Sequence, residues 1–367
     1  MTSRFDARLA EIRDAMRQGS NDRFFEEFRS LAAEVEHCGV DELNTLVEKL
    51  APMLGGKAGY YASLGRIAGA AIARGASPLP LIEVLPERAF ATMARYVVVE
   101  MVWPRAAPDR QLPRSHDMSD SAAVPEVVDA LVALARREGR DEQEFAIIAC
   151  AWFTLDDWIG PLNTAMMTSR EFRARMARRE DVTEAAETLK DRSEGARCLH
   201  GLCLVLDDEP LIVLDPSSRR GFHLTMSGVG DNYQLHTLLA DRLMGPGRGG
   251  LLDAQPPEPA WVDAATTAPP GPFNLTTPIT RRFRLFDGHG SYIAPEGWPA
   301  DIEPLDGVRV LVVRPANGIY GWDNGRVYPS MVPTLTLDRE IEPAEAAHWL
   351  SRIAPARETD LMGRNGG

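Results

Sequence analysis

From residue 4 to about 195, apolar residues recur at intervals of three and four, the spacing of helices that bury one face. Leu43, Leu46, Val47, Leu50 and Leu54 mark one helix, which stops at Gly55 and Gly56. Leu64, Ile67, Ala68, Ala71 and Ile72 mark the next, which stops at Gly75 before a Ser77-Pro78 turn. A third runs from near Leu81 to Trp103. Residues 104–123 are rich in Pro, Asp and Ser. Pro125, tolerated in a first turn, then opens a helix carrying Val127, Val128, Leu131 and Leu134 and closed by Gly139. Residues 145–159 are apolar on too many sides for a surface helix and predict a buried one that anchors the helical lobe. Residues 169–192 are densely charged and read as one solvated helix leading out of that lobe.

The period then changes. Residues 202–206 and 211–214 read as a hairpin about the acidic turn 207–210, with a second turn at Asp215-Pro216-Ser217-Ser218. Phe222, Leu224 and Met226 alternate with His223, Thr225 and Ser227, which sets an apolar face against a polar one. After Gly228-Val229-Gly230 a helix carries Leu235, Leu238, Leu239 and Leu243 and ends at Gly245-Pro246. Residues 246–280 hold eight prolines and no evident apolar period, the pattern of a long loop or stiff linker outside any core. Strands return at 283–286, 308–313 and 334–337, and a short helix follows from Pro343. The expected architecture is therefore α+β: a helical lobe (1–195) packed on a smaller mixed lobe (196–358) that the proline-rich segment 246–280 interrupts, then a loose tail (359–367).

Length supports two cores, since 367 residues exceed what one core usually organises. A hydrophobic share of 44% with 25% charged residues is that of a folded chain. The net charge of -13 repels phosphate backbones and anionic lipid headgroups, so nucleic acid and membrane surfaces are poor partners. No signal-peptide pattern opens the sequence, and the apolar stretch 96–103 is too short to span a bilayer. Four cysteines, at 38, 150, 198 and 203, are too sparse to staple this chain and suit thiols in a reducing compartment. A cytoplasmic location is expected.

Chemistry-bearing residues concentrate between 215 and 236, where Asp215, Arg220, His223, Asp231, Asn232, Gln234 and His236 fall on a strand, a turn and a helix start. His223 titrates near neutrality and suits an acid-base role, with Asp215 or Asp231 orienting it and His236, Gln234, Asn232 and Arg220 contacting a substrate. The structural alternative makes Asp231 a helix N-cap and Gln234 the reciprocal member of a capping box. The Gly228-x-Gly230 pair lacks the third glycine of a dinucleotide loop, and Asp231 at the helix start would repel a phosphate. Cys198, His200 and Cys203 are ligand types for zinc, but their spacing fits no standard knuckle and buried thiols are the simpler reading. Asp156 and Asp157 are magnesium-ligand types; with no second acidic motif, a solvated helix end is the plainer reading. His289 lies in a polar, glycine-flanked loop that either lines a pocket or turns between strands. Tyr320, Trp322 and Tyr328 form an aromatic loop suited to contacting a peptide or a sugar, although exposed aromatics also mark ordinary protein interfaces.

No nucleophile elbow, Walker loop, HExxH helix, EF-hand or kinase signature occurs, and the pattern names no cofactor or oligomeric state. Two functions fit. One is an accessory or regulatory protein that binds a partner protein or peptide through the aromatic loop and a groove between the lobes. The other is a metal-independent hydrolase or transferase with its acid-base centre in residues 215–241. An enzyme requires His223, His236 and a carboxylate to converge on one pocket.

Overall fold

The computed structural model describes residues 4–55, 61–115, 123–245, 249–251, 255–268, 279–280, 283–316, 321–322 and 326–357. The chain forms two compact units, Met1–Cys203 and Leu204–Gly367, so the division falls later than residue 195.

Ten α-helices of the first unit are described: α1 (Asp6–Gln18), α2 (Asn21–Val35), α3 (Val40–Leu54), α4 (Tyr61–Ala73), α5 (Val84–Ala106), α6 (Ala123–Glu138), α7 (Glu142–Thr168), α8 (Arg170–Arg175), α9 (Arg179–Leu189) and α10 (Glu194–Cys203). The apolar run expected to be buried lies in α7, which packs against α4, α5, α6, α8 and α10. Asp141 starts it by accepting hydrogen bonds from the amides of Gln143 (2.8 Å) and Glu144 (3.3 Å), donors that the first turn otherwise leaves unpaired. In length and composition α7 would also suit a membrane span, yet 61% of its apolar window is buried within the unit, as in a core helix. Close approach of α4 rests on Gly65 and Gly69, one turn apart. A Cβ at Gly65 would lie 2.8 Å from the Asp157 carbonyl oxygen, and one at Gly69 would lie 3.2 Å from Pro161 Cα.

Two expectations for this unit are corrected. Residues 169–192 make two short helices rather than one, and they are not simply solvated: Phe172, Arg173, Val182, Ala186 and Leu189 are buried. Residues 202–206 are not a strand. Ala196, Leu199, Leu202 and Cys203 recur at helical intervals and bury one face of α10, so the chain stays helical to Cys203.

The second unit contains β1 (Glu209–Asp215), β2 (Arg220–Ser227), α11 (Asn232–Leu243), α12 (Pro259–Thr266), β3 (Ile279–Thr280), β4 (Phe283–Asp287), β5 (Pro304–Leu305), β6 (Val308–Pro315), β7 (Gly321–Trp322), β8 (Thr334–Glu340) and α13 (Pro343–Arg352). The hairpin is β1–β2, and it turns at 215–220 rather than at 207–210. The main sheet has the order β4-β6-β1-β2-β8, with β5 also on β6. Among the described strands, only β1 and β6 run parallel. A separate ribbon pairs β3 with β7.

Alternation along these strands sorts their side chains onto two faces. Leu211, Val213, Phe222, Leu224 and Met226 join Leu235, Leu238 and Leu239 of α11 in one core. Ile212, Leu214 and Val310 face the opposite way, into a smaller core with Ile341 and with Ala346 of α13. The proline-rich segment is also corrected in part: Pro259 opens α12, whose Trp261, Ala264 and Ala265 share one buried face, and α12 packs on α11.

Candidate functional site

The sheet separates the candidate acid-base groups. His223 alternates with Phe222 and Leu224 and so points to the α13 face. There its Nε2 lies 2.9 Å from Glu345 Oε1. Arg339, opposite His223 on β8, donates to both oxygens of the same carboxylate at 2.9 and 3.1 Å. Arg339 first, and His223 second, hold Glu345 below the usual carboxylate range. His236 sits on α11, over the other face. It is 5% exposed, its ring stacks on Phe283 with centroids 4.1 Å apart, and its Nε2 lies 3.2 Å from the Phe283 carbonyl oxygen. The two histidines therefore do not meet.

Neither aspartate orients His223. Asp215 closes the β1–β2 turn, accepting from the Ser217 amide (2.9 Å) and from the hydroxyls of Ser217 (2.5 Å) and Ser218 (2.6 Å). Burial pushes this carboxyl up, but those serine hydrogen bonds outweigh it and leave the group below its ordinary value. Asp231 caps α11 through the Gln234 amide at 2.8 Å. Burial raises its carboxyl to about 6, against the opposing effect of the Gln234 and Tyr233 amides. Gln234 does reach back as a capping-box residue, but to the Gly230 amide (2.7 Å), one position before the cap, while its own NH2 donates to the Ala265 carbonyl at 2.6 Å.

The proposed substrate contacts are engaged as well. Asn232 donates to the Ala294 carbonyl at 2.8 Å. Arg220 forms a two-pronged pair with Glu340 at 2.6 and 2.9 Å. His289 follows the turn reading: its amide donates to Asp287 at 2.9 Å, and its Nε2 lies 3.2 Å from the Pro304 carbonyl. Of the aromatic loop, Tyr320 and the side chain of Trp322 lie outside the described residues, and Tyr328 is not an exposed contact but 4% exposed, its ring against Gly230.

Among the described residues no group of three His, Cys, Asp or Glu side chains could hold a metal. Helical geometry explains this at Cys198, His200 and Cys203, which leave α10 in different directions, and His200 pairs with Glu187 at 2.9 Å. Burial and Glu194 push the Cys198 thiol up to about 11, so it is no ready thiolate. Asp156 and Asp157 sit within α7 rather than at its end. Burial raises Asp157 to about 6 despite Arg66 at 3.7 Å.

No family model, curated protein or solved structure matches this chain. Function has to be argued from the residues alone.

A feature absent from the sequence reading lies in the helical unit. Tyr96 of α5 and Trp152 of α7 stack with centroids 4.2 Å apart, and the segment 111–115 frames them around an open recess of about 410 Å³. The indole N–H donates to the Pro113 carbonyl at 2.8 Å, which ties the frame to the aromatic pair. Gln111 and Arg114 stand exposed among the lining residues, and Leu112 and Pro113 add apolar surface. Two aromatics on different helices give no local sequence signal; only the pairing of α5 with α7 brings them together.

Proposed function

We propose that this chain is an accessory or regulatory protein that works by binding a partner protein or peptide. The observation that carries the reading is the Tyr96–Trp152 recess. Tyr96 and Trp152, 5% and 6% exposed, form the buried floor of this recess. Its accessible rim, Gln111, Leu112, Pro113 and Arg114, offers a partner apolar surface and an arginine, a residue type in which interface binding energy concentrates. In the 215–241 segment, by contrast, Asp215, Arg220, His223, Asp231 and Gln234 are engaged in turns, caps and charged hydrogen-bond pairs within the second unit. The four cysteines are free thiols, in keeping with the reducing cytoplasm that the same reading assigns to the protein.

The alternative, a metal-independent hydrolase or transferase, keeps one specific point in its favour. His223 does have a carboxylate partner within hydrogen-bond reach, and it is Glu345, not Asp215 or Asp231. Arg339 occupies both oxygens of that carboxylate, which weakens it as an orienting base and makes the trio a clamp between α13 and the sheet.

The test begins with reciprocal affinity capture, each protein recovering the other, followed by calorimetric titration of the purified pair. Arg114→Glu is expected to weaken binding about tenfold or more, roughly the effect of losing one rim-to-anchor contact, with an unchanged unfolding midpoint. Turnover of a small substrate by the purified chain, lost in His223→Gln and unaffected by Arg114→Glu, would overturn the reading in favour of the enzyme.

A further inference from the structure

Strand β8 is the edge of the main sheet on the β2 side. Among the described residues no strand pairs with its outward edge, and Thr334, Thr336, Asp338, Arg339 and Glu340 are exposed along it. An edge of this kind presents a row of backbone donors and acceptors that only water or another strand satisfies. The exposed large apolar side chains described in this unit, Val327 (50%) and Val332 (58%), both lie in the segment that leads into β8.

We propose that β8 pairs antiparallel with β8 of a second copy, centred on Thr336, to join the two sheets across a twofold axis. The strand's own polarity selects this partner. About Thr336 the sequence Thr334-Leu335-Thr336-Leu337-Asp338 reads alike in both directions, apolar against apolar and polar against polar. Leu335 and Leu337, which face the α11 core, then stand opposite each other across the axis twice. Thr336 meets its own copy, and Thr334 meets Asp338, a hydroxyl donor beside a carboxylate.

Faces agree as well as residue types. Thr336 lies opposite Thr225 on β2, and the extra residue Asp338, at the register shift, turns to the same side, where it accepts from the Thr225 hydroxyl at 2.8 Å. Registers centred further along the strand are excluded by charge or polarity: one centred on Leu337 sets Leu335 against Arg339, one on Asp338 sets it against itself, and one on Arg339 does likewise. One centred on Leu335 sets Leu337 against Pro333, which has no amide to give the ladder. The remaining charges need no partner from outside, since Arg220 neutralises Glu340 and Glu345 neutralises Arg339. The pairing is isologous, so it closes at two copies.

Because residue 336 faces its own copy, one substitution acts on both strands at once. Sedimentation velocity of the full chain over a range of concentrations is expected to show the 40.4 kDa monomer shifting towards twice that mass. Thr336→Lys alone and Thr336→Asp alone are each expected to remain monomeric, and an equimolar mixture of the two to recover the dimer. Amide exchange in residues 334–338 should slow with concentration in the wild type. A wild type that stays monomeric throughout, a dimer insensitive to Thr336→Lys, or single variants that fail without mutual rescue while retaining native circular dichroism would each overturn the pairing. So would protection of β8 only in the presence of a different protein.

Discussion

Adding one methyl group at each of three glycines probes how closely α4 and α7 approach. At Gly65 the new Cβ would stand 2.8 Å from the Asp157 carbonyl oxygen. That atom belongs to the backbone of a 27-residue helix and has no rotamer in which to escape. Overpacking of this kind costs about 1–3 kcal/mol, while replacing a mid-helix glycine by alanine returns about 1 kcal/mol. A net loss of roughly 1 kcal/mol follows for Gly65→Ala, a fall in midpoint of about 2–4 °C for a unit of this size. At Gly69 the nearest atoms are Pro161 Cα at 3.2 Å and Pro161 Cβ at 3.3 Å, so strain and propensity should nearly cancel. Gly160, exposed on α7, has nothing within 4 Å of its Cβ position beyond its chain neighbours, so it should gain the propensity term less the crowding that Pro161 imposes on a side chain before it. Urea unfolding followed by far-ultraviolet circular dichroism should rank the series as Gly160→Ala most stable, wild type and Gly69→Ala together, Gly65→Ala least. Equal stability of Gly65→Ala and Gly160→Ala would refute the close contact between the helices.

Other expectations concern groups whose roles the structure redefines. Burial raises Asp157 from 3.8 to about 6, so the folded chain holds a proton that the unfolded chain has released, and stability falls as pH rises through that window. Asp157→Asn should flatten this dependence and be the more stable form at pH 7, by on the order of 2–3 kcal/mol at 1.36 kcal/mol per pH unit; a pH series of unfolding midpoints tests it. Asp231→Asn keeps the acceptor for the Gln234 amide and should be tolerated, whereas Asp231→Ala should lose about 1–2 kcal/mol with the cap, a difference readable in thermal melts. Trp261→Ala should lower the stability of the second unit by about 3–5 kcal/mol, as for a large buried aromatic. A tether would show no loss, so an unchanged melt would remove α12 from the core.

The sequence carried the alternation of β2, the buried run of α7 and the proline-led start of α13 in local periods, and all three are present. It carried the dispersal of the acid-base cluster too, in a form easily overlooked. Once Phe222, Leu224 and Met226 define the apolar face and the leucines of α11 cover it, His223 must lie on the reverse side and His236 on the covered one. Nearness along the chain concealed that separation. Trp261, Ala264 and Ala265 held a helical signal that the surrounding prolines masked. Glu345 had no local signal at all, since it reaches His223 from 122 positions away through the packing of α13 on the sheet. The Tyr96–Trp152 recess is hidden for the same reason, because periodicity identifies α5 and α7 but not which of their residues stack.

The parallel pairing of β1 with β6 has consequences for how the chain acquires its structure during synthesis. Glu209 and its ion partner Arg309 are 100 residues apart. The β1–β2 hairpin and α11 can form as soon as they leave the ribosome, but one side of β1 then waits, unpaired and rich in leucine, isoleucine and valine, until β6 arrives. Distant pairings of this kind require a large loop to close before any contact rewards it, and they slow folding. Each helix of the first unit closes its hydrogen bonds locally before it docks, even though seating α4 on α7 brings together residues as far apart as Gly65 and Asp157. Refolding should therefore show a fast helical phase followed by a slower sheet phase, and the interval between them is when the nascent protein is most exposed to aggregation and most in need of a chaperone.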